Sequence, residues 1–195
     1  MIVCLCVARQ RHTHEWLNTL WKWNGPKSDL QVPLVHAFMT SRIDYGNVVF
    51  IGAPKSVTGK LQRVLNAAAR VVSGTRKFDH GLMQLLHADL HWLNVPERIK
   101  YKLCMMMRWC QDGTAPQYLA VHWSPVSETA SRQHLRSAVS HQLTVPPHRR
   151  TTYGGRAFAV AGPSTWNSLP KRLRDPSSSS AVFGRLLKTF LFSEY

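Results

Sequence analysis

The chain has 195 residues, room for one domain or two small ones; 44% are apolar, with seven Trp and seven Phe, so a packed core is expected and wholesale disorder is excluded. Lys and Arg number 25 against 10 Asp and Glu, a formal net charge of +15. Such a chain attracts polyanions, which makes nucleic acid the expected partner over the plainer reading of a basic protein beside acidic neighbours.

Met1–Ala8 is apolar but short, has no charged residue ahead of it, and is followed at once by Arg9, Arg11 and His12. It is not read as a signal peptide, and no run reaches the length of a membrane span, so no membrane role is expected. Residues 1–28 form a divergent segment, with Trp16, Trp21 and Trp23 in a weak amphipathic pattern and a turn at Asn24-Gly25-Pro26. Cys4-x-Cys6 and His12-x-His14 have metal-ligand residue types without a usual zinc spacing. Cys104 and Cys110 point about 240° apart on a predicted helix. The cysteines therefore suit a reduced, intracellular chain, nuclear or cytoplasmic, rather than a disulfide framework.

Residues 29–123 read as a helical region. Asp29 is placed to cap a helix carrying Leu30, Val32, Leu34, Val35 and Phe38, which runs on towards Ser41–Gly46. Val48–Ile51 reads either as a short strand or as continued buried helix. Ser56–Gly74 has the cleanest helical pattern. Val57, Leu61, Val64, Leu65, Ala68, Val71 and Val72 share an arc of about 120°, and Lys60, Arg63 and Arg70 share one of about 80° on the side away from it. Gly74 is the natural stop. Leu82–Leu90 is apolar at helical spacing. Pro96 and Glu97 suit a first helical turn, followed by a stripe of Ile99, Leu103, Met106, Met107 and Cys110 that ends at Gly113. The methionines in it are read as adaptable core rather than a binding surface.

Residues 124–152 are polar, Pro-containing and rich in Ser, Arg and His, and are expected to be an extended basic linker with room for a short strand at Gln142–Val145. Residues 153–195 open on the string YGGRAFAVAGPSTWNSLP, Tyr153–Pro170. Gly154-Gly155 and Gly162-Pro163 predict two chain turns within ten residues. Trp166, among Phe158, Pro163 and Leu169, is favoured as core over base stacking; Tyr153 is open to either role. Asp175-Pro176 and Ser177–Ser180 predict a loop and an N-cap, and Val182, Phe183, Leu186, Leu187, Phe190 and Leu191 predict one apolar face of a last helix.

Arg156, Ala157, Phe158, Ala161, Pro163, Trp166, Asn167, Leu169 and Pro170 fill a G-x-R-A-F-x-x-A-x-P-x-x-W-N-x-L-P pattern. That pattern resembles the C-terminal region of reverse transcriptases of non-LTR (LINE-type) retrotransposons. Further strings resemble blocks of the same family in order: LVHAFMTSRIDYGN at Leu34–Asn47, LQRVLNAAARVVSGTRKFDH at Leu61–His80, LHWLNVPERIKYKL at Leu90–Leu103 and GTAPQYL at Gly113–Leu119. The resemblance implies the part of an RNA-directed DNA polymerase downstream of its palm. Residues 29–123 would be a helical thumb-like bundle and 153–195 a C-terminal helical segment: a mainly α fold with irregular loops and room for one short β-hairpin around 142–160.

Polymerisation in that family needs clustered aspartates holding two Mg²⁺ ions. The six aspartates here (Asp29, Asp44, Asp79, Asp89, Asp112 and Asp175) include no adjacent pair, so a catalytically incomplete fragment is expected, with no cofactor, no catalytic residue and no metal. His87 and His91 are spaced i,i+4, but no Glu follows the first, so a packing role is favoured. No G-x-S-x-G element or Gly-rich phosphate loop occurs. The chemistry left is basic. Lys60, Arg63 and Arg70, with Arg149, Arg150 and Arg156, are the candidate contacts to the phosphates of an RNA or DNA duplex, and Lys171, Arg172 and Arg174 form a third cluster. A solvated helix face is the plainer reading of the first three. A reverse transcriptase palm or another protein is a further candidate partner. The competing reading is a domesticated helical protein-interaction module without a nucleic-acid role.

Overall fold

Apolar residues at helical spacing become helix along most of the chain. The computed structural model describes residues 33, 35–76, 78–129, 134, 136–149 and 154–195. These are mainly helical, and the single bridge among them is the antiparallel pair Pro125 and Leu143. Four longer helices carry the fold: α1 (Lys55–Ser73), α2 (Val95–Gln111), α3 (Phe158–Asn167) and α4 (Ser180–Phe192). The chain divides into two compact units. One takes the described residues up to Gly46 with Pro54–Val95; the other takes Asn47–Ala53 with Pro96–Tyr195. The segment 1–28, the Asp29 cap, Arg150 and Tyr153 lie outside the described residues.

In the first unit α1 behaves as its pattern predicts. Leu61, Val64, Leu65, Ala68 and Ala69 are buried, and Gly74 closes the helix at φ 69°, a left-handed conformation that a side chain would disfavour. Before it, a π-type turn at His36–Thr40 runs into Ser41–Asp44. Val35, Met39 and Ile43, four residues apart, supply its buried edge, whereas Phe38 is exposed. After it, Leu82–Gln84 and Leu85–Asp89 form one more helical stretch, with Leu86 buried. That stretch ends before His91, whose φ of 50° reverses the chain. Trp92 and Leu93 then enter the core. The Gln62 amide fastens this return, donating to Asn66 and Asn94 at 2.9 Å each and accepting the Val95 N–H at 2.8 Å.

In the second unit α2 opens with Pro96 and Glu97 in its first turn and is followed by Gly113 at φ 69°. Ile99, Leu103, Cys104, Met107, Arg108 and Cys110 are all buried and cover about half the circumference. Both cysteines are therefore enclosed although they point apart. The α4 N-cap is Ser179, whose Oγ accepts the Val182 N–H at 3.4 Å. The ring of Phe183 lies 5.4 Å from that of Trp166, both fully buried, with Leu187 and Leu191 beyond.

Three expectations are decided. Between the strand and the continued helix open at Val48–Ile51, the chain is helical: Asn47–Phe50 is a 3-10 turn with Phe50 buried. Gly162-Pro163 is not a turn, because α3 runs straight through it. Here tertiary contact overrides the local signal: a Cβ at Gly162 would collide with Met107 Sδ, so the missing side chain is what lets α3 lie against α2. Pro163 costs α3 one hydrogen bond but is itself buried beside Val160, Ala161 and Trp166. Third, no hairpin forms at 142–160 among the described residues. Thr144 N–H bonds Ser124 O at 2.9 Å and Val126 N–H bonds Gln142 O at 3.0 Å, and the ladder stops there. On the last helix, Val182 and Leu186 also leave the predicted apolar face, at 37% and 47% exposure.

Candidate nucleic-acid interface

Helix α1 contains no Asp or Glu, so its cations have no i,i+4 carboxylate to pair with. Lys60 and Arg63, one turn apart, are exposed. Arg70 is half-buried, and its Nε is enclosed without an acceptor. The helical wheel does not account for the difference: Arg70 lies about 160° from the centre of the apolar arc, and exposed Lys60, about 80° from it, is the cation nearest the apolar side. Two of the three predicted cations are thus presented to solvent from a rigid helix, and the third only partly.

Arg149 is exposed, and Arg150 lies outside the described residues. The neighbouring His148 is seated on the glycine pair: a Cβ at Gly154 would come within 3.2 Å of the His148 Cβ, and one at Gly155 within 3.6 Å of its Nε2. Gly154–Arg156 is a 3-10 turn, so the first of the two predicted turns is present. Arg156 is half-buried and already engaged. Its Nε–H donates to the Ile51 carbonyl at 3.0 Å and its Nη2–H to the Val49 carbonyl at 2.9 Å. Gly52, at φ 62°, leaves room for the arginine stem, since a Cβ there would sit 3.3 Å from Arg156 Cγ. Arg156 therefore holds the Asn47–Phe50 turn in place, with a single Nη nitrogen left over for a phosphate. Lys60, Arg63 and Arg70 belong to the first unit, and Arg149 and Arg156 to the second.

Of the third basic cluster, Lys171 and Arg172 are exposed on a 3-10 turn at Lys171–Leu173, and Arg174 is buried. Trp166 is core, and its Nε1–H donates to His141 O at 3.1 Å, so it offers no stacking face.

Sequence reasoning passed over two side chains. Asn167 faces the peptide of Leu143 as a strand would: Oδ1 accepts its N–H and Nδ2 donates to its carbonyl, both at 2.8 Å. Buried Arg108 lies 3.1 Å from Asp112 and donates to the carbonyls of Asp175 at 3.0 Å, Pro176 at 2.9 Å and Ser178. Arg108 had no clear signal, since the wheel places it about 100° beyond the stripe of Ile99, Leu103, Met106, Met107 and Cys110. Asn167 had none, because its partner is 24 residues away.

Among the described residues no three His, Cys, Asp or Glu side chains gather into a metal site; Cys4, Cys6, His12 and His14 lie outside them. His87 Nδ1 lies 3.0 Å from the Trp92 carbonyl, and His91 has left the helix, so the i,i+4 relation does not hold. A depression of about 230 Å³ in the first unit is lined by Asp79 and Asp89 with His80, carboxylates that would repel a phosphate. No described helix is long and apolar enough to cross a membrane. No family model matches the chain, no curated protein matches its sequence and no solved structure matches its fold.

Proposed function

We propose that this chain is a nucleic-acid-binding helical module derived from the region downstream of the palm of a LINE-type reverse transcriptase, working inside the cell, nuclear or cytoplasmic, without polymerisation chemistry of its own. The ordered blocks from Leu34 to the end of the chain support the ancestry, and the lack of paired aspartates supports the missing chemistry. The observation that carries the binding reading is the exposed pair Lys60 and Arg63 on a helix with no acidic residue. Phosphate contacts of this kind position a duplex without reading its sequence.

The experiment is a salt titration of duplex binding. With about four to six phosphates neutralised, log K falls against log salt with a slope of roughly −4 to −5 for any sequence. Lys60→Gln with Arg63→Gln flattens the slope by up to about two units and weakens all sequences alike. Gln keeps the helix propensity, so the helix itself stays. A double variant with unchanged slope and affinity would return both residues to an ordinary solvated face. One observation favours a second reading, the protein-interaction module: Val182 and Leu186 present apolar surface on α4. Salt-insensitive capture of a protein, with no duplex binding, would select it.

A further inference from the structure

Two arginines are buried in the second unit, Arg108 at 2% exposure and Arg174 at 6%. Arg108 is surrounded by acceptors: the Asp112 carboxylate and three carbonyls of the loop that follows Arg174. Arg174 is its opposite. Its Nε and Nη1 are enclosed with no acceptor, and its side chain forms no hydrogen bond or ion pair among the described residues. Asp175, next in the chain, and Asp112, the partner of Arg108, are both engaged elsewhere. Asp175 accepts the Ser177 N–H at 2.9 Å, and Asp112 holds Arg108 and the Ser180 hydroxyl. Burial disfavours the guanidinium charge, yet an arginine stays protonated, so it needs an acceptor that also carries negative charge.

We propose that Arg174 anchors a binding site for one phosphate group, entered from the side of the Lys171–Leu173 turn. Lys171 and Arg172 are exposed there, and the Arg174 N–H closes the turn on Lys171 O at 3.1 Å, which puts Lys171 and Arg174 on one side of it. Three cations within four residues suit a doubly charged oxyanion better than a carboxylate. The guanidinium fork matches its oxygens, and with Arg174 only 6% exposed a single group can reach it end-on, not a strand or a helix. The site is separate from Lys60 and Arg63 and does not depend on their role.

The probe is inorganic phosphate. Thermal unfolding of the full chain is followed in phosphate against chloride at matched ionic strength and pH. A saturable rise is expected, about 3–5 °C at ten times Kd. Arg174→Met removes the charge, and the phosphate-specific rise disappears. Lys171→Gln with Arg172→Gln, both at exposed positions, raises the phosphate Kd several-fold, and this pair decides the matter if Arg174→Met fails to fold. Lys60→Gln with Arg63→Gln leaves the rise intact, so each reading fails or stands alone. Phosphate monoesters are expected to compete for the Arg174-dependent rise and an oligonucleotide lacking terminal phosphates is not; competition by that oligonucleotide would overturn the end-on site. No phosphate-specific rise in the wild-type chain, or the same rise in Arg174→Met, overturns the site. So does an unchanged Kd in the Lys171, Arg172 variant.

Discussion

Arg156 and Asn167 each tie a helical segment to a peptide group distant in sequence. Arg156 reaches carbonyls more than a hundred residues away, at Val49 and Ile51, and Asn167 takes both polar atoms of Leu143. An amide is suited to that second task because it donates and accepts at once. Asn167→Ala is expected to cost about 1–3 kcal/mol, read from denaturant midpoints. Asn167→Asp tests the reason. The ionised carboxylate still accepts from Leu143 N–H but faces the Leu143 carbonyl with no proton, so the variant should be as damaging as Ala at neutral pH and recover as the carboxyl protonates in acid. Equal stability of the Asp and wild-type chains at neutral pH would contradict the clamp. Cys104 is a second residue with a definite expectation. Burial pushes its thiol up to about 12, against a small opposing pull from Lys100. A raised acid in the folded state stabilises fully below the unfolded value, near 9, and that contribution is lost as pH climbs towards 12. The unfolding midpoint should therefore fall over that window, and fall less steeply in Cys104→Val. At pH 8 Cys104 should resist alkylation in the native chain and react in denaturant.

Among the elements, α3 most clearly shows packing overruling local preference. A helix with Gly and Pro side by side at its centre is a poor helix by propensity, and it persists because its buried face includes Val160, Ala161 and Trp166. Gly162→Ala would raise intrinsic helix propensity by about 1 kcal/mol, but its Cβ meets Met107, a fully buried side chain. The crowding is expected to win, with a net loss of about 1–2 kcal/mol. Adding Met107→Val opens space and should recover part of that loss, a coupling that a double-mutant cycle measures. Strictly additive losses would mean that α3 and α2 do not press together at this point. Helix α1 needs no such rescue: its stripe, its small Ala68 and Ala69 and its Gly74 stop agree with one another.

For the molecule as a whole, charge is the dominant property. A net +15 favours polyanions at long range, and it offers no Asp-Asp pair to hold the two Mg²⁺ ions of polymerisation. Purified protein is accordingly expected to show no template-dependent primer extension with Mg²⁺ or Mn²⁺ above a buffer control. Incorporation that persists through repurification would overturn that expectation.

Local information was enough where a feature depends on neighbours along the chain. The mainly helical composition, the limits of α1, the Pro96 start and Gly113 stop around α2, the Ser179 cap of α4 and the core role of Trp166 all follow from spacing, caps and breakers. The exposure of Arg63 followed from the wheel as well, whereas the exposure of Lys60, next to Val71 on it, and the half-burial of Arg70 did not. Tertiary structure decided the rest, because the partners lie far away in sequence. Met107 made Gly162 a contact point instead of a turn, and Val49 and Ile51 engaged Arg156, a candidate phosphate ligand. Leu143 found its pairing in a side chain rather than a second strand, and the loop after Arg174 satisfied Arg108 while leaving Arg174 without an acceptor. Periodicity tells which side of a helix is apolar; only the folded chain decides what that side meets and which polar groups find partners.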